Sequence, residues 1–138
     1  MTYTATQSIF INANRTAVWQ AITDPALISK WMLGTVVTTD WRPGSPVTYE
    51  GIMGGEEYRN SGEILEIVAE KLLKMTYRNP KGKGIPANDT IITYILDEER
   101  DGVHLKVTQE NFTVLAARDH AEGSWKWILG MLKLVVSR

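Results

Sequence analysis

Near residue 115 the spacing of the apolar residues changes from two to about 3.6, and this change limits the fold more than any other feature of the chain. Upstream, Val103, Leu105 and Val107 share one face of a run whose other face carries His104, Lys106, Thr108 and Glu110. That is the alternation of a strand with one wet side. Downstream, Ala121, Trp125, Ile128, Leu129, Leu132 and Val136 form one helical stripe between about Ala116 and Val136, the longest helical pattern in the chain. Trp127, Met131 and Leu134 widen the stripe, so this helix either sits deep in the fold or meets a second apolar surface. A homodimer is one expectation that follows.

The rest of the chain supplies what that helix can pack on. Tyr3 to Ile11 has the β-branched and aromatic content of a strand. Asn14 offers an N-cap for a short helix over about Arg15 to Thr23 that carries Val18, Trp19 and Ile22. Asp24-Pro25 starts a second helix, because the N–H that proline lacks would be unpaired at the first helical position anyway. Leu27, Ile28, Trp31 and Met32 form its apolar side, and Gly34 is placed to end it. Strands follow over Thr35 to Trp41, Pro46 to Met53, Asn60 to Val68, Lys71 to Tyr77, Asp89 to Leu96 and Val103 to Phe112. Arg42-Pro43-Gly44-Ser45, Gly54-Gly55 and Asp101-Gly102 mark turns, and Asn79 to Ala87, with Pro80, Gly82, Gly84 and Pro86, reads as a surface loop. No repeat or linker divides the 138 residues, so 1–138 is one domain. The order predicts an α+β domain: a curved antiparallel sheet of six to seven strands wrapped around a long C-terminal helix, with two short helices after strand one.

Composition removes several kinds of chemistry. A chain of this length buries about 68% of its unfolded surface, so it needs neither disulfides nor a structural metal. The absence of cysteine excludes thiolate nucleophiles and cysteine-ligated metals. His104 and His120 are the only histidines and have no ligand-like spacing, so neither a metal nor a cofactor is expected. Fifteen basic residues against 16 acidic ones give no sign of a polyanion partner such as nucleic acid. No Gly-x-Ser-x-Gly elbow is present, and the adjacent Asp119 and His120 diverge by about 100° on a helix. The glycines of Gly51-Ile-Met-Gly54-Gly55 and Lys81-Gly82-Lys83-Gly84 match no phosphate loop, although Lys81 and Lys83 suit a small basic rim at a pocket mouth. Met1-Thr-Tyr-Thr-Ala lacks the features of a secretory signal, which points to the cytoplasm and makes the sequons at Asn14, Asn88 and Asn111 chance matches. No run approaches the roughly 20 apolar residues of a membrane span.

Polar and aromatic side chains remain as the means of recognition. Trp19, Trp31 and Trp125 fall on inward helical stripes and read as core. Trp41, Tyr49, Tyr58, Tyr77 and Tyr94 sit on strands or strand ends, where a tyrosine facing a cavity can orient a ligand through its hydroxyl. Gln109 continues the inward register of Val103, Leu105 and Val107, so its amide requires a partner, whether protein, water or ligand. His120 and Trp127 of the last helix complete the candidate set.

Several segments also resemble a known family. Val18-Trp19-Gln20-Ala21-Ile22-Thr23-Asp24-Pro25 with Lys30-Trp31 looks like the opening signature of homologues of the heat-shock-protein-90 ATPase activator C-terminal domain. Tyr49-Glu50-Gly51, Ser61-Gly62-Glu63-Ile64-Leu65-Glu66-Ile67 and His120-Ala121-Glu122-Gly123-Ser124-Trp125 resemble later motifs of that family. Asn111 departs from it, standing where the family commonly has glycine, so the backbone there is expected to differ. The resemblance implies the helix-grip fold of START-like, SRPBCC and birch-pollen-allergen-like proteins, with an apolar cavity between sheet and helix. It also implies three functional readings. The first is a binding domain for a small apolar or amphipathic ligand. The second is a stand-alone activator that partners a chaperone, weakened because an activator of the larger kind carries a further N-terminal domain. The third, an enzyme of cyclase, hydratase or hydrolase type using a tyrosine, His120, Glu66 or Arg78 as acid or base, has the least support, since no triad or dyad is visible.

Overall fold

The computed structural model describes residues 1–78 and 89–136. The loop expected over Asn79 to Ala87, with Lys81 and Lys83, and the sequon residue Asn88 lie outside them. The elements run β1 (Tyr3–Ile11), α1 (Arg15–Thr23), α2 (Pro25–Trp31), β2 (Val36–Thr38), β3 (Pro46–Met53), β4 (Glu56–Val68), β5 (Leu72–Tyr77), β6 (Thr90–Glu99), β7 (Gly102–Phe112) and α3 (Leu115–Val136). All seven strands form one antiparallel sheet in the order β1-β7-β6-β5-β4-β3-β2. Strands β2 to β7 are a meander, and β1 pairs with the last of them. The two short helices therefore carry the chain from one edge of the curved sheet to the other. This is the α+β helix-grip architecture expected from the order of elements.

Local chemistry accounts for the helix ends. The Asn14 side chain accepts from the Ala17 N–H at 2.8 Å and caps α1. Asp24 serves both helices: its N–H closes α1 on the Gln20 carbonyl, and its carboxylate accepts from the Ala26 N–H at 3.0 Å to open α2. Gly34, at φ 85°, turns the chain out of α2 and donates its N–H to the Ser29 carbonyl.

Three boundaries differ from the expectations above, each for a backbone reason. The strand expected over Thr35 to Trp41 covers only Val36–Thr38: its pairing with β3 ends at Thr38 opposite Thr48, and Trp41 beyond it takes φ 59°, outside extended geometry. Strand β4 starts at Glu56 rather than Asn60, since Gly54 and Gly55 both take positive φ and close a two-residue hairpin in which Met53 faces Glu56. The β6–β7 turn lies on Arg100-Asp101, with Gly102 already paired to Glu99. Gly102 is in the strand for lack of room: a Cβ there would collide with the Ile11 carbonyl of β1. Asn111 takes φ 78°, the left-handed conformation that glycine would supply, and donates its side-chain N–H to the Asp89 carbonyl at 2.8 Å. The departure from the family residue therefore leaves a glycine-like turn in place.

The core lies between the sheet and the helices. Val103, Leu105 and Val107 face inward as their alternation predicted, against Trp125, Leu129 and Leu132 of α3. Trp31 is fully enclosed and donates its indole N–H to the Ala21 carbonyl at 2.8 Å, which locks α2 to α1. Trp19 packs at the margin of the core, half-buried. Helix α3 also borders the β1 edge. Glu122 accepts from the Thr6 backbone N–H at 3.2 Å with its carboxylate and from the Gln7 side chain at 3.1 Å with its carbonyl. An edge strand thereby gains partners it would otherwise lack. The close backbone approaches of α3 are to β1, β7, α1 and α2, and the space on the β3–β5 side is filled by side chains and a cavity.

Candidate functional site

That cavity measures about 730 Å³. Its sheet wall comes from Tyr49 of β3, Tyr58 and Asn60 of β4 and Tyr77 of β5, its helix wall from His120, Ser124, Trp127 and Ile128 of α3, and its end from Trp31, Met32, Leu33 and Thr35. Met53, Glu56 and Glu57, on and beside the β3–β4 hairpin, complete the lining. Leu33, Met53 and Trp127 remain 58%, 65% and 53% exposed, so the lining includes apolar surface that water reaches.

The polar groups on the walls are fixed by one another. Tyr49 donates its hydroxyl proton to the Met75 sulfur at 2.6 Å and meets the Tyr77 ring edge-on, with centroids 5.5 Å apart. Asn60 donates its amide N–H to the Tyr77 hydroxyl oxygen at 2.7 Å. Thr35 donates to the Met32 carbonyl at 2.6 Å, and the Tyr58 hydroxyl bonds Thr35. Gly51 explains how Tyr58 gets there. The two residues face each other across β3 and β4, and a Cβ on Gly51 would collide with the Tyr58 ring. The Tyr49-Glu50-Gly51 motif thus places one phenol inward and leaves room for another. Burial pushes the Tyr77 hydroxyl up to about 12 despite the opposing bond from Asn60, and burial also holds the Tyr49 hydroxyl well above its usual value.

Of the eight residues read from the sequence as cavity candidates, Tyr49, Tyr58, Tyr77, His120 and Trp127 line this space and Trp41, Tyr94 and Gln109 do not. Trp41 packs against the core, half-buried, beyond the end of β2. Tyr94 is buried on β6 and meets Trp125 edge-on at 5.8 Å. Gln109 has two protein partners: its amide oxygen accepts from the Trp125 indole N–H at 2.9 Å and its amide N–H goes to the Thr90 hydroxyl at 2.8 Å. Its amide is thus engaged on both sides by the protein, away from the cavity lining. Arg78 pairs with Asp89 at 2.9 Å, Asp119 with Arg118 at 2.8 Å, and Glu66 is exposed, so these groups stand outside the cavity lining. Among the described residues, no three His, Asp or Glu side chains gather as a metal site, and no helix is long and apolar enough to cross a membrane.

Thr35, Asn60 and Ser124 line the cavity without having been picked out from sequence. Signals for two of them existed. Asn60 shares the inward register of Ile64 on β4, and Ser124 lies on the stripe His120, Ser124, Trp127 and Ile128 of α3. Thr35 precedes a strand of three residues and offered no period to read.

Comparison with known proteins places this geometry. The family model described as "Activator of Hsp90 ATPase homolog 1-like protein" matches residues 12–137. A solution structure from Cytophaga hutchinsonii is similar at 30% identity, with a TM-score of 0.79, over 95% of this chain and 91% of that one. A crystal structure from Mesorhizobium loti superposes with a TM-score of 0.82 at 20% identity, covering 96% of each chain. CalU16 from Micromonospora echinospora has a TM-score of 0.75 at 21% identity over 99% of this chain and 85% of its own. The last two likenesses are likenesses of fold. Comparison with curated proteins gives no match.

Proposed function

The chain belongs to the Activator of Hsp90 ATPase homolog 1-like family, and from that premise we propose that it binds a small apolar or amphipathic molecule in the cavity between α3 and strands β3 to β5. The observation that carries this reading is the cavity itself: about 730 Å³, walled by aromatic and aliphatic side chains, with a few convergent polar groups. Sites for small organic ligands have this size and this mixture. The rigidity of the walls supports it as well, because Tyr49, Tyr58, Asn60 and Tyr77 are held by protein partners and a ligand would have little to reorganise. The exposed apolar surface of Leu33, Met53 and Trp127 would be covered by such a ligand, which adds a hydrophobic gain.

The test is a thermal-shift screen of apolar and aromatic small molecules against the wild-type protein and a Ser124→Trp variant whose indole fills the cavity from the helix side. A binder present at a hundred times its Kd stabilises the native state by about 2.7 kcal/mol. The expected result is a rise in Tm for wild type that is lost in Ser124→Trp. Equal shifts in both proteins, or none across the panel, would overturn the reading.

A further inference from the structure

We infer that the cavity prefers a neutral aromatic ligand carrying an oxygen acceptor, of the aryl ketone or quinone class, oriented by a hydrogen bond from the Tyr77 hydroxyl. This rests on the ligand-binding reading above and goes beyond it by assigning the donor and the charge of the ligand.

The assignment comes from following the hydroxyl protons. Three phenols line the cavity. The proton of Tyr49 goes to the Met75 sulfur. Thr35 has one hydroxyl proton and gives it to the Met32 carbonyl, so in the Thr35–Tyr58 pair the proton belongs to Tyr58. Tyr77 differs from both. Its oxygen accepts from Asn60, and among the described residues its own proton has no acceptor. A phenol that accepts an N–H still donates, and the amide holds its oxygen in one place. Tyr77 is therefore the lining phenol with a hydrogen bond to offer.

Charge follows from the same surroundings. Burial keeps the Tyr77 hydroxyl protonated far above neutral pH, and the desolvation that disfavours a phenolate disfavours a ligand carboxylate beside it. Glu56 and Glu57 add like charge along the lining, and the described lining contains no lysine or arginine. Shape favours a flat ring, since Trp31, Trp127 and the edge-packed Tyr49 and Tyr77 supply aromatic surfaces beside the Met32 and Met53 thioethers.

Three matched probes test this: 2-acetylnaphthalene, 2-ethylnaphthalene, which lacks the acceptor, and 2-naphthoate, which carries charge in its place. Their affinities are measured by quenching of tryptophan fluorescence with wild type and with Tyr77→Phe, which keeps the ring contact with Tyr49. The ketone should bind wild type at least about fivefold more tightly than the ethyl compound, the advantage of one net hydrogen bond. Naphthoate should bind more weakly than the ketone, and Tyr77→Phe should erase the ketone's advantage while leaving the ethyl compound unchanged. Equal binding of ketone and ethyl compound by wild type, or tightest binding of naphthoate, overturns the inference and leaves the cavity reading standing. Both comparisons need only the wild-type protein, so a poorly folded variant would not rescue the idea. If none of the probes binds, the cavity reading falls and takes the inference with it.

Discussion

Trp125 donates its indole N–H to the amide oxygen of Gln109 at 2.9 Å, and this bond ties the long C-terminal helix to β7, the strand beside the β1 edge of the sheet. The same amide donates to Thr90 on the neighbouring strand, so one polar side chain joins three elements inside the core. Because both residues are buried, removing either leaves a polar group unpaired. Gln109→Leu and Trp125→Phe should each cost about 1–3 kcal/mol for the orphaned partner, and the Phe substitution loses some packing besides. The double variant should cost less than the sum of the two, since it removes donor and acceptor together. Urea unfolding of the four proteins checks this, and strictly additive losses would show that the bond contributes nothing of its own.

Two glycines should respond oppositely to alanine. Gly62 lies where β4 meets β5, and a Cβ there would overlap the Thr76 backbone carbonyl, which cannot swing aside without breaking the pairing. Gly62→Ala should destabilise by about 3 kcal/mol or more, at the upper end of point-mutation effects. Gly123 is in the interior of α3 with nothing within 4 Å of its Cβ position. Gly123→Ala should stabilise by about 1 kcal/mol, the difference in helix propensity between the two residues. Thermal unfolding of both variants decides it, and a loss of stability in Gly123→Ala would mean that the outer face of α3 is in use.

Alkaline pH should unfold the protein through its buried phenols. The hydroxyls of Tyr49, Tyr77 and Tyr94 are all raised from the usual 10.0, that of Tyr77 to about 12, with burial the first cause in each case. Between those values the unfolded chain has released protons that the native state retains, so stability falls as pH rises. It is fully present below about pH 10 and is lost toward pH 12. Circular dichroism and phenolate absorbance followed together from pH 8 to 12 should show these tyrosines ionising as the fold is lost. Their ionisation near pH 10 with the fold intact would contradict the burial described here.

The sequence made the elements legible where backbone chemistry is local. The Asn14 and Asp24 caps, the Gly54-Gly55 turn and the alternation around Leu105 act through neighbours along the chain, and each was found in its place. The short β2 differs from the sequence reading because its pairing with β3 stops at Thr38, and the left-handed backbone of Trp41 beyond it is one that its residue type does not signal. The cavity was legible in part. Tyr49 and Tyr77 stood on expected strands and Tyr58 just before one, but whether an inward polar group faces a ligand or another side chain depends on the opposite wall. Gln109 and Tyr94 lie in the inward register too, and α3 covers them with Trp125. Register along one strand carries no record of where the helix above it comes close.

The central claim is that a ligand occupies the gap beneath α3, and the indole signals of the protein's five tryptophans test it most directly. Trp127 lines the cavity, whereas the indole N–H groups of Trp31 and Trp125 are bonded to Ala21 and Gln109. In a titration with 2-acetylnaphthalene followed by 1H–15N correlation spectra, the Trp127 indole and the Asn60 side-chain amide should shift together and saturably, and the Trp125 indole should stay in place. Shifts confined to Gly130, Met131 and Leu134 on the outer face of α3, with Asn60 unmoved, would contradict the account.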